Sequence, residues 1–133
     1  MAEFVHNKEN YMDFPRFVAI ETVGRCNANC NFCPHESLDR KNTEMGDDLF
    51  DKIISDLEII PAHVPLRIIP NHVNEPFMDR KIFSRLMTIN ERLPQATFSI
   101  FTNLNVIHRN FFSDLKQIKN IQVAAVFILS FSV

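Results

Sequence analysis

The sequence predicts an α/β chain, with a parallel sheet whose strands are separated by helices packed outside it. Three observations carry this prediction. Short β-branched and aromatic runs alternate with segments whose apolar residues recur at helical spacing. Each strand-like run gives way to a polar loop. The chain has 133 residues, 46% of them hydrophobic, enough for one globular domain.

Residues 16–22 (RFVAIET) form the first strand-like run, which ends at Val23-Gly24 in a loop that carries all the cysteines. Residues 47–58 follow as a helix. Leu49, Phe50, Ile53, Ile54 and Leu57 give it one buried face, and Asp47 and Asp48 stand at the favourable end of its dipole. Pro61 and Pro65 bracket a turn before a second strand, residues 66–69, which stops at Pro70 and opens a loop over 71–79. Residues 80–93 form a second helix with Ile82, Phe83, Leu86, Met87 and Ile89 on its apolar face, and Pro94 ends it. A third strand over 96–101, a polar loop over 102–105, a third helix over 109–118 and a fourth strand over 122–130 complete the pattern.

Such alternation implies right-handed βαβ units and a parallel sheet with strands buried on both faces. Ligands on sheets of this kind sit beyond the carboxyl ends of the strands. The cysteine loop, the 71–79 loop and the 102–105 loop all leave the sheet at that end, so three polar loops should converge on one site. Residues 1–15 read as a loosely held arm and 16–133 as the single core domain.

Composition narrows the function. The formal charge is −2 and the basic residues are scattered, so no stripe matches a nucleic acid. The first ten residues lack the apolar core of a signal peptide. The longest apolar run, 123–129, is far short of the ~20 residues of a membrane span. The expectation is a cytoplasmic chain with no membrane partner.

All three cysteines, Cys26, Cys30 and Cys33, lie within one eight-residue stretch, an odd number packed too tightly for a disulfide framework. Only a wrapped loop can aim three thiolates at one centre, and a compact four-iron, four-sulfur cubane suits that geometry. Three thiolates leave one iron without a protein ligand, the opening through which a cluster binds substrate directly. A structural zinc site with His35 as fourth ligand is the main alternative. Against it, His35 also reads as an ordinary exposed loop histidine. An inactive remnant and a ferredoxin-like electron carrier are further alternatives, the last weakened because such clusters use four protein ligands.

The C-x3-C-x2-C spacing, with Phe32 before the last cysteine, resembles the signature of the radical S-adenosylmethionine enzymes. Asn74-Glu75-Pro76 after the second strand is similar to that family's Gly-Glu-Pro segment, and Thr102-Asn103 after the third is similar to its Thr-Asn-Gly turn. Residues 16–132 carry the resemblance, which looks closest to members with a further C-terminal cluster-binding domain.

The resemblance implies a partial (β/α) barrel with outer helices, about four strands of a six-unit barrel, incomplete at the C-terminus. It further implies a [4Fe-4S] cluster on Cys26, Cys30 and Cys33, and S-adenosylmethionine chelated to the fourth iron by its amino and carboxylate groups. Phe32 would lie against the adenine, Glu75 would accept from the methionine ammonium, and Asn74, Pro76, Thr102 and Asn103 would line the cofactor. Ser130 would meet the ribose. The implied partners are an electron donor such as flavodoxin or ferredoxin and an unidentified substrate, a peptide or a small molecule.

Residue by residue, plainer readings also exist. Glu75 and Asp79 could be solvated loop acids, with Asp79 capping the second helix. Thr102 and Asn103 could be turn formers, and Met45 and Met87 packing residues.

Overall fold

The computed structural model describes residues 14–125, which form a four-stranded parallel sheet in the order β1-β2-β3-β4. The strands are β1 (Phe17–Ala19), β2 (Leu66–Ile69), β3 (Ala96–Thr102) and β4 (Ile121–Ala125), and the helices between them are α1 (Asp47–Leu57), α2 (Ile82–Arg92) and α3 (Phe111–Leu115). The α/β alternation is the predicted one. Residues 126–130 of the expected fourth strand lie outside the described residues.

Among the described residues the sheet is covered on one face only, which differs from the expectation of strands buried on both. Along β3, Ala96, Phe98, Ile100 and Thr102 are buried, while Thr97 and Phe101 are exposed. The cause is the strand order. Each crossover steps to the next strand in the same direction, and right-handed crossovers that never reverse direction put every helix on the same side. A doubly wound sheet needs a reversal, whereas a barrel does not. The uncovered face carries Phe17, Arg67 and Thr97, aligned across β1, β2 and β3 by register, and Gln122 on β4.

The covered face holds the core. Phe50, Ile54 and Leu57 of α1 and Ile82, Leu86 and Ile89 of α2 pack on Leu66 and Ile68 of β2 and on Phe98 and Ile100 of β3. Each helix presents i, i+4, i+7 positions to the sheet. Leu49 is 53% and Met87 39% exposed, so neither joins the core as the periodicity suggested; both stand at the flank of that stripe.

Two elements lose half or more of their predicted length. β1 keeps three residues because the chain leaves the sheet at its carboxyl end to pair Val23 with Glu44. Helix α3 keeps five residues: Phe111 is buried in an aromatic cluster with Phe77 and Phe83, while Phe112 faces outward.

Candidate functional site

At the carboxyl ends of β1, β2 and β3 lies a cleft of about 140 Å³. Its walls come from all three loops: Cys26, Cys30, Phe32 and Cys33 from the first, residues 71–75 from the second, and Thr102 and Asn103 from the third. The predicted convergence of three polar loops is therefore what the fold produces.

The cysteine loop is closed at its base by backbone. Gly24 N–H donates to Thr43 O at 2.8 Å, Met45 N–H donates to Thr22 O at 2.8 Å, and Val23 bridges Glu44. A Cβ on Gly24 would sit 2.1 Å from the Arg40 carbonyl oxygen, so this closure admits glycine alone. Ion pairs of Arg25 with Glu44 and of Arg40 with Glu21 span the same base. Glu21 also accepts from Val73 N–H at 2.6 Å, which ties the second loop to the first.

His35 is not the exposed loop histidine expected. It lies in the short 3-10 turn Pro34–Ser37, is 6% exposed, and its Nε2 donates to Gly24 O at 2.8 Å. The turn folds back over the loop base and carries the ring inward. With that nitrogen spent on the loop's own backbone, His35 serves closure.

The three thiols are free, and all are half-buried. Burial pushes the Cys26 thiol up from its ordinary value, against hydrogen bonds from the backbone of Ala28; the charges of Glu75 and Cys33 raise it further. Cys30 is raised by burial and then by Cys26 and Cys33. Three thiolates so placed repel one another, and a bound cationic centre would relieve that repulsion. Among the described residues, no three His, Cys, Asp or Glu side chains converge tightly enough to hold one metal ion. A four-iron cube instead takes each thiolate on a separate iron, so its ligands stand further apart. Three thiols from one loop on the wall of one cleft are a donor set that an iron–sulfur cluster can take.

Glu75 is 2% exposed, not a solvated loop acid. Its Oε1 accepts from Thr102 Oγ1 at 2.7 Å and Phe77 N–H at 3.2 Å, and its Oε2 accepts from Asn103 N–H at 2.8 Å. All three donors are neutral. Leu104 N–H donates to Thr102 Oγ1 at 3.0 Å, and Leu104 itself adopts φ 56°, a left-handed backbone that costs a branched residue about 1–2 kcal/mol. Thr102 and Asn103 are turn formers, and they are also two of the three groups that Glu75 grips. Asn103 Nδ2 then reaches across to Asn27 Oδ1 at 2.8 Å, joining the third loop to the cysteine loop.

Asn74 is 8% exposed, with Oδ1 accepting from His72 N–H at 3.0 Å. Pro76 is buried at the start of a 3-10 turn, Pro76–Met78, and Phe32 stands 77% exposed at the cleft wall. Asp79 is 1% exposed rather than solvated. The helix begins two residues later than expected, so Asp79 accepts from Lys81 N–H at 2.8 Å and from buried Arg85 at 2.8 Å. Ser130 lies outside the described residues.

Sequence reasoning passed over Asn71, Phe101, Asn27 and Glu21. Asn71 Oδ1 accepts from Phe101 N–H at 3.1 Å and so extends the β2–β3 ladder beyond its last backbone partners. Its place directly after Pro70 at the strand end was the available signal. Asn27 and Glu21 act through partners far away in sequence and left no local signal.

No protein-family model matches the chain, and no curated protein does. Among solved structures, the chain is similar to BtrN in complex with AdoMet and 2-DOIA, with a TM-score of 0.71 and 23% identity over 83% of this chain and 46% of that one. It is also similar to selenomethionine BtrN in an open conformation, with a TM-score of 0.69 and 21% identity over 83% of this chain and 50% of that one. The chain thus spans about half the length of the structures it matches. These likenesses show a shared fold: the parallel α/β sheet described above matches about half of the BtrN chain.

Proposed function

We propose that the cleft binds a [4Fe-4S] cluster through Cys26, Cys30 and Cys33 and S-adenosylmethionine beside it, as part of a radical S-adenosylmethionine enzyme. The observation that carries this reading is the union, in one cleft, of three free thiols and a buried carboxylate whose hydrogen-bond partners are all neutral. A buried carboxylate without a counter-ion favours a cationic ligand, and the methionine ammonium is one. The AdoMet bound by BtrN, which shares the fold, adds support.

Held by Cys26, Cys30 and Cys33 and reduced by its donor, such a cluster would supply the one-electron chemistry that cleaves S-adenosylmethionine to methionine and a 5'-deoxyadenosyl radical able to abstract hydrogen from a substrate. The chain's own residues do the rest. The three cysteines give up their protons to become ligands. A carboxylate has about four acceptor positions; Thr102, Phe77 and Asn103 fill three of those on Glu75, leaving one on Oε2 for the ammonium. Phe32 offers its exposed ring to the adenine, and Val73 and Phe101 add apolar wall to the cleft. Ser130 meeting the ribose belongs to this proposal too.

The reaction requires a low-potential one-electron donor such as flavodoxin or ferredoxin, and a substrate that is a peptide or a small molecule. A reducing cytoplasm suits an oxygen-sensitive cluster. Among the described residues, no helix is long and apolar enough to cross a membrane.

Anaerobic reconstitution with iron and sulfide, followed by electron paramagnetic resonance of the reduced protein, tests the reading. The expected result is a four-iron signal that changes when S-adenosylmethionine is added. Zinc uptake with no four-iron signal would overturn it.

A further inference from the structure

As described, the four strands carry a single charged side chain between them, that of Arg67 on β2. It stands exposed on the sheet face that no helix covers, in register with Phe17 on β1 and Thr97 on β3. Charged residues on strands commonly guard an edge against pairing, but β2 is paired on both sides and has no edge to guard. Arg25, Arg40, Arg85 and Arg92 each meet a carboxylate, whereas Arg67 meets none among the described residues.

Arg67 borders a hollow of about 460 Å³ at the amino ends of β2, β3 and β4, whose wall also holds Thr97, Ile118, Asn120, Ile121 and Gln122. The Gln122 carboxamide, like the guanidinium, has no partner among the described residues, so free N–H donors stand beside two isoleucine side chains. Such a wall suits a molecule with an oxyanion at one end and a carbon skeleton next to it. The arginine fork matches a carboxylate or a phosphate with two parallel hydrogen bonds.

Strand β3 connects this hollow to the cysteine cleft. Thr97 lines the hollow and Phe101 the cleft, and both lie on the uncovered face, about 13 Å apart along the strand. A molecule reaching from the cleft must lie along this face, because the core fills the other. We propose that Arg67, with the Gln122 amide, holds the carboxylate or phosphate of a small anionic substrate whose reacting carbon lies at the cleft, on the order of 10 Å away. A free cation on an otherwise uncharged face also turns away polycationic substrates.

The role of Arg67 in a substrate rests on radical chemistry at the cleft, and anion binding can be read without it. Amide NMR shifts of the full, metal-free chain are followed as inorganic phosphate or glutarate is added, against chloride at equal ionic strength, in the original form and as Arg67→Gln and Arg67→Lys. Arg67 is exposed, so neither replacement empties a core position. The expected result is saturating shifts at Thr97 and Gln122 with phosphate or glutarate and none with chloride, weakened roughly tenfold or more in Arg67→Gln and by less in Arg67→Lys. Whichever of the two anions binds more tightly identifies the anionic group. No saturation with either, equal saturation by chloride, or unchanged affinity in Arg67→Gln overturns the proposal. Anion binding by a chain that forms no four-iron cluster overturns the radical reading of the cleft, and with it the reacting carbon placed there, while Arg67 stands as an anion site.

Discussion

Glu75 and Thr102, twenty-seven residues apart, meet at 2.7 Å where the ends of β2 and β3 open into the cleft. The hydroxyl of Thr102 donates to the carboxylate while accepting from Leu104 N–H, so one side chain relays the hold of Glu75 to the strained turn beyond it.

Thr102→Val removes that relay and leaves both partners short of a hydrogen bond. The expected cost is about 1–3 kcal/mol, read as a lower urea midpoint, with Thr102→Ser recovering most of it. An unchanged midpoint in Thr102→Val would mean that the turn holds itself.

Asp79 and Arg85 form a buried ion pair at 2.8 Å, and Arg85 also donates to Met45 O at 2.6 Å and lies over the ring of Phe50 at 5.3 Å. Arg85→Leu strands the Asp79 carboxylate in the core. The expected loss is about 3–5 kcal/mol, and Arg85→Leu combined with Asp79→Asn should recover part of it. A single variant as stable as the original chain would contradict this account.

Gly24→Ala drives a methyl group into the Arg40 carbonyl at the base of the cysteine loop. Stability should fall by at least about 1 kcal/mol, and iron bound after reconstitution should fall with it, because the bridge that closes the loop has to open. Full iron loading in a destabilised Gly24→Ala would separate the loop base from the site.

The raised Cys26 and Cys30 thiols set the pH response of the metal-free, reduced chain. Folded, these thiols hold protons that the unfolded chain releases at the ordinary thiol value, about 8.5. Their contribution is complete below that value and is lost as pH rises through the raised folded one. The urea midpoint should drop on going to alkaline pH, and drop less in Cys26→Ser. Loading the cluster should reverse the trend, since ligated thiolates carry no proton to lose.

Cys30→Ala should abolish the four-iron signal and leave the circular dichroism of the βα pattern unaltered. Cys30 sits in a half-buried loop position outside every strand and helix. Loss of helical signal would show that the loop is needed to fold the sheet.

The order and kind of the elements were legible in the chain because apolar periodicity is a local property. Phe50, Ile54 and Leu57, or Ala96, Phe98 and Ile100, announce their element within a single turn or strand. The three cysteines, and the two loops that join them at the cleft, were legible for the same reason: loops follow strands, and parallel strands end on one side.

What the chain by itself determined was therefore a parallel α/β sheet with three chemically marked loops at its carboxyl end. The tertiary structure alone decided three further things. Among the described residues one face of the sheet is left without helices, because handed crossovers in sequential order stack every helix on the other side. His35 turns inward to hold Gly24. Glu75 spends most of its carboxylate on Thr102 and Asn103, while Asn74 keeps an unpaired donor beside it. Each depends on distances between residues remote in sequence, and local patterns carry no record of those.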